Sequence, residues 1–173
     1  MEHSRVELLP ITFEDTERII AWRNTSNVRS QFVYQKPFTA EGHEKWMKTR
    51  VETGEVVQFI IRIKENHELI GSVYLRDIDK ENKSAELGIF IGEPTALEKG
   101  YGTEATRQIV QYGFCELGLH RVFLRVFADN QRAISCYKKA GLIEEGIAKD
   151  MILQNGQYKD MMFMSIIHSE RRE

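Results

Sequence analysis

Ala85-Glu86-Leu87-Gly88-Ile89-Phe90-Ile91 leads, across the eight residues Gly92 to Lys99, into Gly100-Tyr101-Gly102-Thr103. The first segment reads as a strand, and its closing apolar run predicts burial on both faces in the middle of a sheet. The second opens a helix from about Thr103 to Leu117. A strand from Arg121 to Phe127 and a helix from Gln131 to Lys139 come after it. Strand, helix and strand joined by a crossover of that length predict two parallel neighbours. Glycines at a helix start let the backbone approach a ligand closely. The free N–H groups of the first turn then favour an anion such as a pyrophosphate. Lys99 would add charge there, and Thr103 would either bind a phosphate oxygen or cap the helix.

Upstream, the weak alternation of Val6-Glu7-Leu8-Leu9 marks an opening strand. Thr12-Phe13-Glu14-Asp15 fits a capping box, predicting a helix to about Arg23 with Ile19, Ile20 and Trp22 on its apolar stripe. Asn24 to Ser30 reads as a break with a short helical turn. Thr39 then caps a third helix carrying His43, Trp46 and Met47. Val57, Phe59, Ile61 and Ile63 recur every second residue, as a half-buried strand requires, and Leu69 to Leu75 is the hairpin partner. Downstream, Asn155-Gly156 between Ile147–Leu153 and Tyr158–Ile167 is a strong hairpin signal. No internal repeat or linker interrupts the chain, so residues 1–173 are expected to form one mixed α/β domain.

With 24 Lys and Arg against 26 Asp and Glu, the net charge of −2 supplies no global field for nucleic acid or an acidic membrane. The 42% hydrophobic content and three prolines exclude a disordered or collagen-like chain. No apolar stretch approaches the roughly 18 residues of a spanning helix, and Met1-Glu2-His3-Ser4-Arg5 is not a signal peptide, so the expected location is cytoplasmic. Glu170-Arg171-Arg172-Glu173 reads as a frayed terminus. Cys115 and Cys136 fall in predicted helices, too far apart for a CxxC unit, and read as buried free thiols. No metal site is expected.

Gly100-x-Gly102-x-x-Ala105 also satisfies a dinucleotide-binding fingerprint, with Asp129 as the ribose ligand. Two features count against that. The intervening loop is too long for the tight dinucleotide turn, and too few parallel strand–helix units follow it. Asn130-x-x-Ala133-Ile134-x-x-Tyr137-x-Lys139-x-Gly141-Leu142, beyond the glycine loop, resembles instead the second signature of the GNAT superfamily of acetyl-CoA-dependent N-acetyltransferases. Gly118-Leu119-His120-Arg121-Val122 and Asn155-Gly156-Gln157-Tyr158 resemble the branch containing ribosomal-protein and spermidine acetyltransferases. One departure is Leu97, where the family usually carries Gln or Arg.

The resemblance implies a mixed, mostly antiparallel sheet of six or seven strands, flanked by helices and splayed between two parallel central strands. The pantetheine arm of acetyl-CoA would enter that gap and pair with backbone at Ile89, Phe90 and Ile91. Its diphosphate would meet Lys99, Gly100, Tyr101, Gly102, Thr103 and Glu104, with Asn130 and Lys139 nearby. An N–H near Phe90 would stabilise the oxyanion as an amine attacks the thioester. An alkyl ammonium of pKa about 10.4 must lose a proton first, and a thiolate of pKa about 8.5 leaves more readily if given one. By resemblance Tyr137 is the donor. Ala133, Ile134, Tyr137 and Ala140 share one helical face, which also allows plain core packing for the ring. Glu86 is the expected base, acting through water from roughly 13 Å along the strand, unless a neighbouring Lys or Arg pairs with it. His43 and His120 are the alternatives.

Trp22-Arg23-Asn24, Val28-Arg29 and His43-x-x-Trp46 resemble the corresponding region of amino-sugar nucleotide acetyltransferases. Arg23 and Arg29 would hold a phosphate or carboxylate, and Trp22 or Trp46 would stack on a ring; solvated arginines and core tryptophans are the plain alternative. Gln35-Lys36-Pro37-Phe38 presents no carboxylates for a polyamine, which places spermidine behind an amino sugar or a protein N-terminus. The expected activity is acetyl transfer to a primary amine of a small molecule or protein, without a metal. A non-catalytic CoA-binding domain of the same fold is the alternative, and a pure interaction protein ranks third. The exposed edge of the final hairpin makes a homodimer plausible.

Overall fold

In the computed structural model, residues 4–169 are described. The expectations for Met1 to His3 and for the tail Glu170 to Glu173 lie outside them. Seven strands form one sheet: β1 (Val6–Pro10), β2 (Val57–Ile63), β3 (Leu69–Asp79), β4 (Ser84–Ile91), β5 (Arg121–Phe127), β6 (Ile143–Gln154) and β7 (Gln157–Ile167). They run in the order β1-β2-β3-β4-β5-β7-β6, and β4–β5 is the parallel pair among antiparallel neighbours. β4 is therefore central, as its apolar run predicts. β3 and β6 are longer than their hydrophobic patterns, because ladder hydrogen bonds extend into polar flanks that carry no burial signal. The β6–β7 hairpin turns at Asn155 and Gly156, both with positive φ, as the Asn-Gly pair requires.

The helices are α1 (Thr16–Asn24), α2 (Ser26–Arg29), α3 (Ala40–Trp46), α4 (Tyr101–Cys115) and α5 (Gln131–Ala140). Asp15 accepts the Thr12 N–H at 2.8 Å, but the first turn it closes is 3-10, and α1 proper starts at Thr16. Thr39 caps α3 by accepting from Gly42 N at 3.1 Å. Helix α4 begins two residues before the predicted Thr103, because Gly100 is the cap, at φ 86° where a side chain would be strained. On α4, Ala105, Ile109 and Gly113 recur at helical spacing on the buried face.

Two apolar layers enclose the sheet. One joins Val73, Leu75, Leu87, Val122 and Leu124 to Ile109 of α4 and Ile134 of α5. The other joins Ile60 and Phe90 to Ile19, Trp22 and Val28 of the early helices. Full burial of a side chain such as Ile109 contributes about 1.5–3 kcal/mol. Register decides which residues share a face. Tyr74 opposes Gln58 and Gly88, Ser72 opposes Ile60 and Phe90, and Arg76 opposes Glu86. Alternation then puts Gln58, Ser72, Tyr74, Arg76, Glu86 and Phe90 together beneath the early helices.

Candidate active site

β4 pairs with β5 only where Ser84, Ala85 and Glu86 meet Arg121, Val122 and Phe123. Beyond that point Leu87 to Ile91 leave β5, which pairs on only with β7. The two strands diverge and leave a gap with unpaired backbone along its rim. A cavity of about 1050 Å³ fills the gap, lined by Leu87, Gly88, Ile89, Phe90 and Ile91 on one side and by Arg125 and Val126 on the other.

At one end the cavity reaches Gly100, Tyr101, Gly102 and Thr103. The first turn of the 15-residue α4 presents its free N–H groups here, and the helix dipole adds to their attraction for an anion. A Cβ on Gly102 would meet only Cys136 Sγ at 3.5 Å and Ile91 Cγ1 at 3.9 Å, so the loop lies open toward the cavity. Arg132 and Lys139 of α5 border the same end. Asn130 accepts from Ala133 N at 3.1 Å to cap α5, and donates to Gln31 Oε1 at 2.7 Å. This donor set suits a diphosphate.

Three loop residues are placed otherwise than expected. The Glu104 carboxylate is taken by Arg5 and Ser4, and its N–H bonds Gly100 O at 3.2 Å, so neither group remains for a ligand. Lys99 is exposed and does not border the cavity; its carbonyl accepts from Arg5 Nη2 at 2.8 Å. Thr103 donates to Cys136 Sγ at 3.3 Å instead of capping.

Tyr137 borders the cavity from α5, packed on Ala133 and the core below. Burial, with Cys136 and Tyr74 nearby, pushes its phenol well above the usual tyrosine value. Tyr74, unflagged by the sequence reading, is displaced upward by burial as well.

At the other end of the cavity lie Arg23, His43, Trp46, Gln58, Tyr74, Arg76, Glu86 and Arg125. Glu86 is only 6% exposed, and its two oxygens accept three hydrogen bonds from Arg125 and Arg76, at 2.9, 3.1 and 3.1 Å. The residue sits where the central strand was expected to put it, but as a doubly ion-paired anchor. Both of its oxygens are engaged by guanidiniums, so its structural part is to hold Arg76 and Arg125 in place. His43 is 3% exposed. Its Nδ1 lies 3.0 Å from Thr16 Oγ1, while Nε2 has no hydrogen-bond partner. Burial lowers its pKa from 6.5, so the ring is neutral at neutral pH. His120 is exposed and does not border the cleft.

Arg23 is 7% exposed, with its guanidinium carbon 3.5 Å from the Phe32 ring centre and 4.5 Å from that of Phe38. Burial lowers its pKa to about 10, which leaves it cationic at neutral pH. Trp46 donates to Gln58 Oε1 at 3.0 Å at the cavity wall. Trp22 and Arg29 are not part of the cavity lining. Trp22 is core: it packs so tightly under Gly92 that a Cβ there would fall 2.2 Å from Trp22 Cγ, and its indole donates to Glu93 Oε1 at 2.7 Å. Tyr74, Arg76, Arg125 and Gln58 were the residues missed. Tyr74 and Arg76 carried a signal, since with Ser72 they are polar side chains at every second position of β3, whereas Gln58 and Arg125 neighbour Ile60 and Phe123 at that period and carried none.

Among the described residues, no group of three or more His, Cys, Asp or Glu could hold a metal ion, and no helix is long and apolar enough to cross a membrane.

Residues 5–143 match the family described as Acetyltransferase (GNAT) domain. The chain is 27% identical over 169 residues to spermidine N(1)-acetyltransferase of Vibrio cholerae serotype O1, covering 97% of this chain and 96% of that one. It is 32% identical over 102 residues to a putative ribosomal N-acetyltransferase of Bacillus subtilis, covering 59% and 55% of the two chains. The crystal structure of the Vibrio cholerae spermidine N-acetyltransferase in complex with CoA and spermine superposes with a TM-score of 0.87 at 26% identity, covering 95% of this chain and 96% of that one.

Proposed function

This chain belongs to the GNAT acetyltransferase family, and from that premise we propose how its cleft carries acetyl from acetyl-CoA to a primary amine. The observation that carries the assignment of roles is the shared cavity, in which the α4 N-terminus, the diverging β4 and β5, and Tyr137 all face one space. The α4 amides at Tyr101, Gly102 and Thr103 hold the diphosphate, with Arg132 and Lys139 adding charge. The free edge of β4 pairs with the amides of the pantetheine arm, as an added strand would. Acetyl-CoA supplies the activated acyl group; the chain aligns its carbonyl beside Phe90.

Two protons leave the acceptor ammonium. The first passes to solvent at the acceptor end of the cavity, where His43 stands neutral with Nδ1 on Thr16 and Nε2 buried. The amine nitrogen then attacks the carbonyl carbon, the carbon–sulfur bond breaks, and the second proton ends on sulfur. Tyr137 bridges that last movement. A phenol held above its usual value would give up a free proton to a thiolate of pKa about 8.5 only uphill. Its contribution is therefore a hydrogen bond to the departing sulfur while the attacking nitrogen gives up its second proton and keeps the amide N–H. Glu86 fixes Arg76 and Arg125 at the acceptor end.

The edge strand β6 supports a contact between two copies, since Ile143, Ile147 and Leu153 are exposed along it. Thiol release from acetyl-CoA across a panel of primary amines tests the transferase assignment. Release with at least one amine is expected; none, with CoA binding intact, would leave a binding domain.

A further inference from the structure

Resting on the transferase assignment, we infer that the acceptor carries an anionic group, a carboxylate or a phosphate, which binds Arg23 at the helical end of the cavity. Arg23 lies within α1, borders the cavity, and is more than nine-tenths buried. Arg76 and Arg125 share Glu86, but among the described residues no carboxylate pairs with Arg23, and its Nη1 has no hydrogen-bond partner. The groups that act on its charge are Tyr74 and a second cation, Arg76. Phe32, Phe38 and Phe90 surround it and offset part of the cost of burying a cation, yet ring faces accept no N–H hydrogen bond of ordinary strength. A buried guanidinium with an unused donor is complementary to an oxyanion arriving with the substrate.

The field around it has the same sign. Three guanidiniums and one carboxylate face this end of the cavity, and His43 is neutral there. Asp77, 3.6 Å from Arg76 Nε, reduces the excess without removing it. A polyamine would bring further cations into this field beyond the reacting amine, whereas an amine bearing an oxyanion meets attraction. The acceptor class thus differs from the one named for the spermidine acetyltransferases that the chain resembles.

The test is the initial rate of thiol release on matched pairs: an amino acid and its amide, a hexosamine phosphate and the free hexosamine, with spermidine as the cationic arm. In the wild-type protein, kcat/KM for at least one anionic member should exceed its uncharged partner and spermidine by about tenfold or more. The carboxylate and phosphate pairs separate the two sources of charge. In Arg23→Met, which keeps side-chain volume against the rings, the ratio should collapse toward one with CoA affinity unchanged. Equal kcat/KM within both pairs, or a preference for spermidine, overturns the inference and leaves transfer to amines standing. If no amine releases thiol, the transferase assignment fails. Calorimetry of the same anionic amines on the CoA-bound protein then decides this one, with Arg23-dependent heat upholding it and none overturning it. Should Arg23→Met not fold, the wild-type ratios decide together with Arg23→Lys, which retains the charge and loses the fork: a reduced ratio upholds the inference and an unchanged one overturns it.

Discussion

Tyr74 on β3 lies against Gly88, its register partner on β4, so closely that a Cβ at position 88 would fall 2.2 Å from the ring carbon Cζ. The missing side chain makes room for the phenol between Arg23, Arg76 and Glu86, the groups that act on its titration. Gly88→Ala must move the ring or the strand. The expected cost is about 1–3 kcal/mol of stability. The Michaelis constant for the amine should rise more than that for acetyl-CoA, because the phosphate end is formed by other elements. Steady-state kinetics with each substrate varied in turn reads the difference, and equal effects on both would count against Tyr74 as part of the acceptor end.

Tyr137→Phe should lower kcat by about 10²-fold or more, with CoA affinity retained. Because burial raises the phenol's pKa, the wild-type rate should show no descending limb from this group through the usual tyrosine range near 10. A pH–rate profile carried into that range, compared with the Phe variant, checks it.

His43 titrates below its ordinary 6.5 because burial penalises the charged ring. Between the folded and unfolded pKa values the unfolded chain binds more protons, so stability rises with pH in that window. This contribution is complete above about pH 6.5 and is lost as pH falls toward the folded value. Thermal melts from about pH 8 down to about pH 5 should therefore slope downward, and His43→Gln should flatten that segment. Losses from Glu145, held down to about 2 by Arg121, belong to a more acid range and should survive the substitution.

Cys136 borders the phosphate end, receives a hydrogen bond from Thr103, and is held as the thiol by burial, whereas Cys115 is exposed. Iodoacetamide should label Cys115 at the same rate with or without CoA, and Cys136 slowly and only in its absence. Peptide mass mapping distinguishes the two. Labelling of Cys136 that CoA leaves unchanged would place the cofactor elsewhere.

Leu153 is 62% exposed and Ile143 is 64% exposed on the sheet's edge strand. Replacing both with Lys should lower the molar mass measured by light scattering while the far-ultraviolet circular dichroism stays the same. An unchanged mass would remove β6 from any contact between copies.

Much of the scaffold was legible because its signals are local. The two-residue period of β2, the Asn155-Gly156 turn and the glycines before α4 each act within a few residues of their own position. Tyr137 could be placed on an inward helical face for the same reason. Glu86 was read as a base because the groups that pair with it, Arg76 and Arg125, stand 10 and 39 residues away and meet it only through strand order. Trp22 and Arg23 show the same limit. As neighbours on α1 they read alike, yet one closes the core beneath Gly92 and the other ends at the cavity without a counter-ion.

The sequence alone determined the strand–helix alternation, the glycine-bracketed helix start and the identity of the inward-facing phenol, since backbone propensity, turn chemistry and hydrophobic period are properties of contiguous residues. Only the tertiary structure decided which charges are paired. Pairing depends on register across strands distant in the chain, and a guanidinium becomes a ligand site only when packing removes it from water and leaves it no carboxylate.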